Sequence, residues 1–546
     1  MNKLNLAYIS ILALIFTQYI ATAQVEDVPI SNPVYNFLLR AETKGLLPHY
    51  SLSQLPLQRH KIISALNLIA AGDSILSDNE RQTLQRFTTE FGITPTDNAV
   101  VFYSNTDTLQ VLSKRLLQDY DKYIYHYEDA NNNVNIKPLA SLDGIYGDNG
   151  YTSGALAMGT LGFRLSGTLS NKFGYLLQVT NTAKFAGKEE LANIDYKYAN
   201  NMKFNELHKN ADITESHITF QHDWFSAKIG RENRLWGAGL NQRLLINDMA
   251  QSFDAVTLSA NFSNFSYTFT HNSLLNIAES GGNTGFQTVI PNKYVAMHTF
   301  TILPSWGEIS FFETVIYSRD LDLAYLNPLS FFKTLEHSQK DRDNAGMGLY
   351  AVWRPLRNLE LKGTWFLDDI KIMEIGTGYW SNKTAWNIAA ITTAIPNLDI
   401  GIEYTRIEPY TFSHFNPQNA NTNDSVLFAS YILPNSDRWN LFLQYWYGER
   451  YPIKFNVYYT RHGNNIYEDG GLLQNVGGDP MQSIRWMDNE KVTFLDGDLE
   501  KRFRAELSAG QQIVRGFSIH QMLGLEWNKD KVNSGYFRLI LRFEDF

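Results

Sequence analysis

The chain has 546 residues, of which 44% are apolar, 14% aromatic and 19% charged, and it contains no Cys. High aromatic content at a net charge of only -9 excludes general disorder, and the missing Cys excludes disulfide staples, thiolate metal sites, a Cys nucleophile and a lipid-modified N-terminal Cys. No long basic run points to nucleic acid as a partner, and a mean hydropathy of -0.28 does not suit a bundle of membrane helices.

Residues 1–23 read as a signal peptide. Lys3 supplies the positive start, Leu4 to Phe16 is mostly apolar, and Ala21-Thr22-Ala23 is a small-x-small cleavage site that leaves Gln24 first. The apolar run is too short for a spanning helix. Beyond Ala23 no stretch of about 18 uninterrupted apolar residues follows. An exported chain of this kind is periplasmic, secreted or a membrane barrel.

Residues 24 to about 95 carry helical periodicity. Asn32 caps a helix beginning at Pro33, with Val34, Phe37, Leu38 and Ala41 as its apolar stripe and Gly45 at its end. A second helix follows Pro56, with Ile62, Ile63, Leu66, Ile69 and Ala70 on one face, and ends at Gly72. Ser77 and Glu80 form a capping box for a third, lined by Leu84, Phe87 and Phe91. Three short stripes make a thin core alone, so docking onto the rest of the chain is expected. The domain reading is a helical periplasmic region with its connection over 24–137, then an outer-membrane barrel over 138–546.

From about residue 138 the period changes from 3.6 to 2. Phe163, Leu165 and Leu169 alternate with polar residues and turn at Ser170-Asn171-Lys172 into Phe173, Tyr175, Leu177 and Val179. Val256, Leu258, Ala260 and Phe262 turn at Ser263-Asn264 into Phe265, Tyr267 and Phe269. Short turns near 170–172, 221–224, 263–264, 303–307, 354–358, 396–397, 447–451 and 508–515 alternate with long connections near 181–212, 232–252, 272–293, 318–345, 408–436 and 462–498. A membrane barrel sorts its connections in this way, with short periplasmic turns and long outer loops, whereas a soluble all-β exoprotein has no reason to. The fold expected is mainly β: an antiparallel transmembrane outer-membrane barrel of about 18 strands with an N-terminal α-helical region. Phe537, Leu539, Leu541 and Phe543 make an amphipathic last strand, although Phe546 falls on the other face.

The most distinctive segment is Arg231 to Gly239, in which two Gly flank a bend beside Trp236. It reads either as a structural bend held by Arg–Glu pairs or as a ligand-facing element toward the outer end. Asp341, Asp343 and Gly346 take positions 1, 3 and 6 of a calcium loop, but Ala345 and Val352 stand where ligands are required, so a solvated loop is expected and no metal. Asp368-Asp369 reads as the polar start of a loop. The chain has no His-x-x-x-His pair with a nearby Glu and no Gly-x-Ser-x-Gly elbow, so neither an enzyme nor a cofactor is expected.

The chain resembles the capsule assembly Wzi family of outer-membrane proteins, in particular its Bacteroidetes-type members. The resemblance rests on Asn32 to Leu38, on Arg234 to Gly239 followed by Leu244 to Asn247 and Ser252-Phe253, on Leu326 to Phe332, on Leu367 to Asp369, on Glu403 to Tyr410 and on Arg461 to Gly463, in that order. It implies an 18-stranded barrel with a periplasmic helical bundle that helps close the lumen. It also implies a lectin-like, non-catalytic role in holding or organising capsular or exopolysaccharide at the cell surface. The competing readings are a porin or sugar channel and an outer-membrane hydrolase with a spatially assembled Ser–His pair. The expected partners are outer-membrane lipid, the polysaccharide and, during insertion, the barrel-assembly machinery, with the chain a monomer. Sugars bind shallow sites through aromatic faces and through Arg and Asn hydrogen bonds. Candidates in the long connections are Tyr196 and Tyr198, then Arg234, Trp236, Asn241 and Arg243, and finally Tyr467, Arg485 and Trp486. The alternative for these residues is an interfacial girdle with lipid- or lumen-paired arginines.

Overall fold

A computed structural model describes residues 24–92, 99–101, 116–196, 198–199, 210–277, 290–528 and 533–546. The signal peptide expected over 1–23 lies outside the described residues. The chain forms a closed antiparallel barrel of 18 strands. They are β1 (Asn133–Asp148), β2 (Ser153–Leu169), β3 (Phe173–Gly187), β4 (Asn210–His222), β5 (Phe225–Glu232) and β6 (Phe253–Phe262). Next come β7 (Phe265–Leu274), β8 (Lys293–Ile302), β9 (Gly307–Tyr317), β10 (Asn344–Leu356), β11 (Leu359–Asp369) and β12 (Lys383–Ile395). The last are β13 (Leu398–Ile407), β14 (Ser436–Tyr445), β15 (Ile453–Asn464), β16 (Asp498–Val514), β17 (Phe517–Asn528) and β18 (Ser534–Phe543). β18 closes the circle by pairing with β1, Gly535 opposite Asp148 through to Phe543 opposite Ala140.

Alternation sets the two faces. Along β13, Asp399, Gly401, Glu403 and Thr405 point inward and are buried, while Ile402 points out and is exposed. Outward Trp365, Ile388, Trp439, Phe503, Leu507 and Phe537 extend the same exposed apolar band. One end carries tight turns, several of them closed by residues at positive φ: Asn171, Asp223, Ser263, Asn358 and Asn397. The other end carries the long connections 188–209, 233–252, 275–292, 318–343, 370–382, 408–435 and 465–497, together with the short 149–152 and 529–533. Residues 508–514, expected in a turn, instead extend β16, and the turn is at 515–516. Asp368-Asp369, expected to start a loop, still belongs to β11, and the connection that follows runs over 370–382.

The N-terminal region lies inside the barrel, toward the tight-turn end. Its helices are α1 (Val34–Thr43), α2 (Arg59–Ala71) and α3 (Asp78–Glu90). The Val34 N–H donates to the Asn32 side chain at 2.9 Å, Gly45 has φ 78°, and the Ser77/Glu80 capping box is complete. The three apolar stripes bury one another around Phe37, Leu66 and Phe87, and Trp446 of the barrel joins them. Outside that small core the helices meet the lumen wall through charge. Arg40 bonds Glu80 at 2.6 Å and also Asp399 of β13. Glu42 lies 3.3 Å from both Arg354 and Lys362, and Lys362 lies 2.8 Å from Glu360. All of these side chains are buried. Buried ions persist only where partners are supplied, so this region is fixed to β10–β13 by mutual need.

Two long connections fold inward and one folds outward. Connections 233–252 and 408–435 pack together in the lumen around Trp236, Leu244, Phe412 and Phe428. Connection 318–343 instead lies against the outside of β7–β10. There the outward-facing Phe269, Val315 and Tyr317 are buried under Tyr325 and Phe332. A short helix, α4 (Phe332–Ser338), presents the Phe332 N–H to Glu313 at 3.1 Å, and Glu313 also holds His298 at 2.8 Å. Asp343, expected in a solvated loop, is buried and accepts the Tyr325 hydroxyl at 2.8 Å, and Gly346 lies within β10.

Candidate functional site

Connection 233–252 shows how the sequence builds the inside of this barrel. Trp236 bridges to Ile246, and Leu235-Trp236 pairs with Gln54-Leu55 of the N-terminal region. Gly237 has φ 114°, and a Cβ there would sit 2.4 Å from the Arg243 carbonyl oxygen. A Cβ on Gly239 would sit 2.0 Å from the Gln242 carbonyl oxygen. The turn these glycines allow aims the N–H groups of Leu240, Asn241 and Gln242 at the Glu403 carboxylate, at 2.9, 3.0 and 3.1 Å. Asn387 completes the latch by donating to Glu403 and to the Ala238 carbonyl oxygen, both at 3.1 Å.

The nine residues singled out from the sequence separate into three groups. Arg234, Trp236 and Arg243 are turned into the fold. Arg234 donates to Asn272 at 2.8 Å and lies over the Phe253 ring, Trp236 is 5% exposed, and Arg243 donates to the Gly237 carbonyl oxygen at 2.7 Å. Tyr196, Asn241 and Tyr198 border internal space: Tyr196 and Asn241 line a chamber of about 640 Å³, and Tyr198 lines a neighbouring one of about 330 Å³. Tyr196 donates to Asp248 at 3.0 Å and meets Tyr431 edge-on. Burial, then the Asp248 carboxylate, holds the Tyr431 phenol well above its usual range. Tyr467, Arg485 and Trp486 lie on connection 465–497 at the long-loop end. There Trp486 is 92% exposed and Arg485 is held by Asp488 at 2.7 Å. Burial raises the Asp488 carboxyl, but the Arg485 side chain and backbone N–H outweigh it and bring the group below its usual value.

The two chambers share Thr180, Asp195, Ile213, Met522, Arg538, Arg542 and Phe546, so they form one polar space along the wall opposite the plug. Sequence reasoning missed what lines it. Arg438, Arg502, Arg504, Arg538 and Arg542 point inward from β14, β16 and β18, while Trp439, Phe503 and Phe537 point out. The available signal was the i, i+2 and i, i+4 placement of arginines on the inward phase of strands 498–514 and 534–543. The facing wall carries Asp27, Glu215 and Glu232. Asp27, His217 and Glu232 lie close enough for a metal, but the Lys228 ammonium already bonds Asp27 at 2.6 Å and also bonds Glu232, and so stands where a cation would. Ser436 and His462 form a 2.7 Å pair of the kind a hydrolase uses, yet Ser436 is 1% exposed and lines neither chamber.

No family model matches the chain, and no curated protein matches it. Among solved structures it is similar to Wzi of Escherichia coli, an outer-membrane protein involved in group 1 capsule assembly that is described as a carbohydrate-binding β-barrel. Identity is 10% and the TM-score 0.59, covering 95% of this chain and 100% of that one. OccAB4 of Acinetobacter baumannii follows at 11% identity, TM-score 0.45, and 76% and 98% coverage. OprD of Pseudomonas aeruginosa has 10% identity, TM-score 0.42, and 75% and 94% coverage. At these identities the likeness to Wzi shows the fold, an 18-stranded barrel of outer-membrane type.

Proposed function

We propose that this chain is a non-catalytic outer-membrane barrel that attaches or organises capsular or exopolysaccharide at the cell surface. The tight-turn end faces the periplasm and the long connections face outward, as outer-membrane barrels place them. The observation that carries the reading is the filled half of the lumen. Helices α1–α3 and connections 233–252 and 408–435 occupy it and are tied to β10–β13 by the Arg40, Glu42 and Glu403 contacts. A diffusion channel gains nothing from an obstruction held by buried ions, whereas a binding barrel gains rigid loops. The ordered family-like segments, and the likeness to a barrel whose description names carbohydrate binding, support the same reading.

The test is deletion in the native host, followed by capsule staining with cell-attached and released polysaccharide measured separately. The reading expects polysaccharide to move from the cell-attached to the released fraction. Unchanged attachment in the deletion strain contradicts it.

A further inference from the structure

The basic wall of the lumen differs from every other charged cluster in the barrel. Its groups follow one another down neighbouring strands. Arg438 stands opposite Thr460, which stands opposite Arg502, and Arg504 lies one inward step below between Tyr458 and Glu526. Lys454 and Arg538 lie two inward steps further on, past Glu506, joined through Ser508 and Met522, and Arg542 lies two more steps on, near the tight-turn end opposite Ser518. The six cations form a ladder along the chamber.

The two ends of this ladder make no ion pair among the described residues. Arg438 gives its Nε to the Thr460 hydroxyl at 2.9 Å and lies over the Tyr458 ring at 5.5 Å, with no ion-pair carboxylate among the described residues. Arg542 lies over the Phe546 ring at 5.4 Å, and its buried Nε has no hydrogen-bond partner among the described residues. The plug side, by contrast, gives Arg40, Arg354 and Lys362 carboxylates. Orphan guanidinium N–H groups also occur on the carboxylate-paired Arg354 and Arg450, so what sets Arg438 and Arg542 apart is the missing ion pair, which suits an acidic acceptor that arrives from outside. Its planar fork suits a carboxylate.

The remaining features of the chamber fit the same ligand. Tyr196, which is 40% exposed, can offer its ring to a sugar C–H surface, and about 640 Å³ is within the range of small-ligand sites. Opposite, Asp27 and Glu232 are already held by Lys228, and Glu232 also by Arg234, so the free cationic ends of the ladder are the groups in the chamber that await an acid. We propose that the lumen chamber is a binding site for the carboxylate-bearing residues of an acidic oligosaccharide, held on the ladder between Arg438 and Arg542. This rests on the polysaccharide reading above and moves its recognition site from the outer loops into the barrel.

The test is titration calorimetry on the purified full-length protein, with trigalacturonate as the acidic probe and maltotriose as the neutral one of equal length. Trigalacturonate is expected to bind at least about tenfold tighter than maltotriose, with affinity falling as salt rises. Arg438→Gln/Arg542→Gln should lose about tenfold or more for trigalacturonate, while Arg81→Gln, a surface arginine on α3, should leave it unchanged. Heat-modifiable gel mobility confirms insertion, and should the double variant fail there, Arg438→Gln alone carries the comparison. Equal affinity for the two sugars, no binding of trigalacturonate, or wild-type affinity in the variants overturns the proposal. Cells separate it from the function itself: if the deletion releases polysaccharide but the double variant retains it, the chamber proposal fails and the function stands. If the deletion releases none, the function fails whatever the calorimeter reads.

Discussion

The two sides of the lumen are built from the same alternating strands and do opposite things with charge. Along β10–β13, the inward Arg354, Glu360, Lys362 and Asp399 are buried and matched to Arg40 and Glu42 of the helical region. Along β14–β18, Arg438 and Arg542 face open space without a carboxylate. Strand alternation only places polar residues inward. What the interior becomes depends on whether another part of the chain arrives to meet them. On the first wall it does, and the charges weld a plug. On the second it does so only in part, Asp195 meeting Arg538 and Asn36 meeting Lys454, while Arg438 and Arg542 make no ion pair among the described residues and line a chamber.

That contrast is open to breakage, most severely at Glu42. Glu42→Ala leaves Arg354 and Lys362 to share Glu360, and truncating a buried ion partner costs about 3–5 kcal/mol. Protease sensitivity of the helical region and a lowered melting temperature would register it. Arg438→Gln on the opposite wall strands no carboxylate and should stay within about 0.5 kcal/mol of wild type. Equal losses at the two positions would erase the distinction between the walls.

The two tryptophans selected together from the sequence should also part. Trp236→Ala empties a packed site and is expected to cost about 3–5 kcal/mol, measured as denaturant stability, whereas the exposed Trp486→Ala should fall within about 0.5 kcal/mol. A smaller effect is expected at the capping box, where Ser77→Ala should lose about 1 kcal/mol in the helical region, read by hydrogen exchange in α3.

The last prediction is a pH dependence. Burial, then the Lys61 charge, depresses His60 to about 4. The unfolded imidazole takes its proton near pH 6.5 while the folded one stays neutral, so the helical region keeps full stability above that pH and loses some as pH falls from 6.5 toward 4. His60→Gln should flatten that part of a melting-temperature profile, and an unchanged slope would remove His60 from the account.

The sequence made the barrel legible because its evidence is local. Phe163 to Leu169 and Phe173 to Val179 show both faces of a hairpin within 20 residues, and the capping box and Asn32 mark helix starts without reference to anything distant. What stayed hidden depends on long-range partners. Nothing around Arg234 to Gly239 reveals that Glu403 will take three of the loop's N–H groups and draw the segment inside. Period 2 marks His298 and Glu313 as outward, but not that connection 318–343 covers them instead of lipid. The aromatic and Arg content of the long connections drew attention to Arg234 and Arg243, which the fold uses for itself. The chamber arginines passed as ordinary inward strand residues, because only the register of β14 to β18 sets those of different strands on one wall.

The most direct measurement for this account is the conductance of the purified full-length protein in a planar bilayer. A lumen half filled by helices fixed through Arg40 and Glu42 predicts no steady open-channel current from the wild type, and current steps once Glu42→Ala loosens the plug. Stable, porin-sized current from the wild type would contradict it.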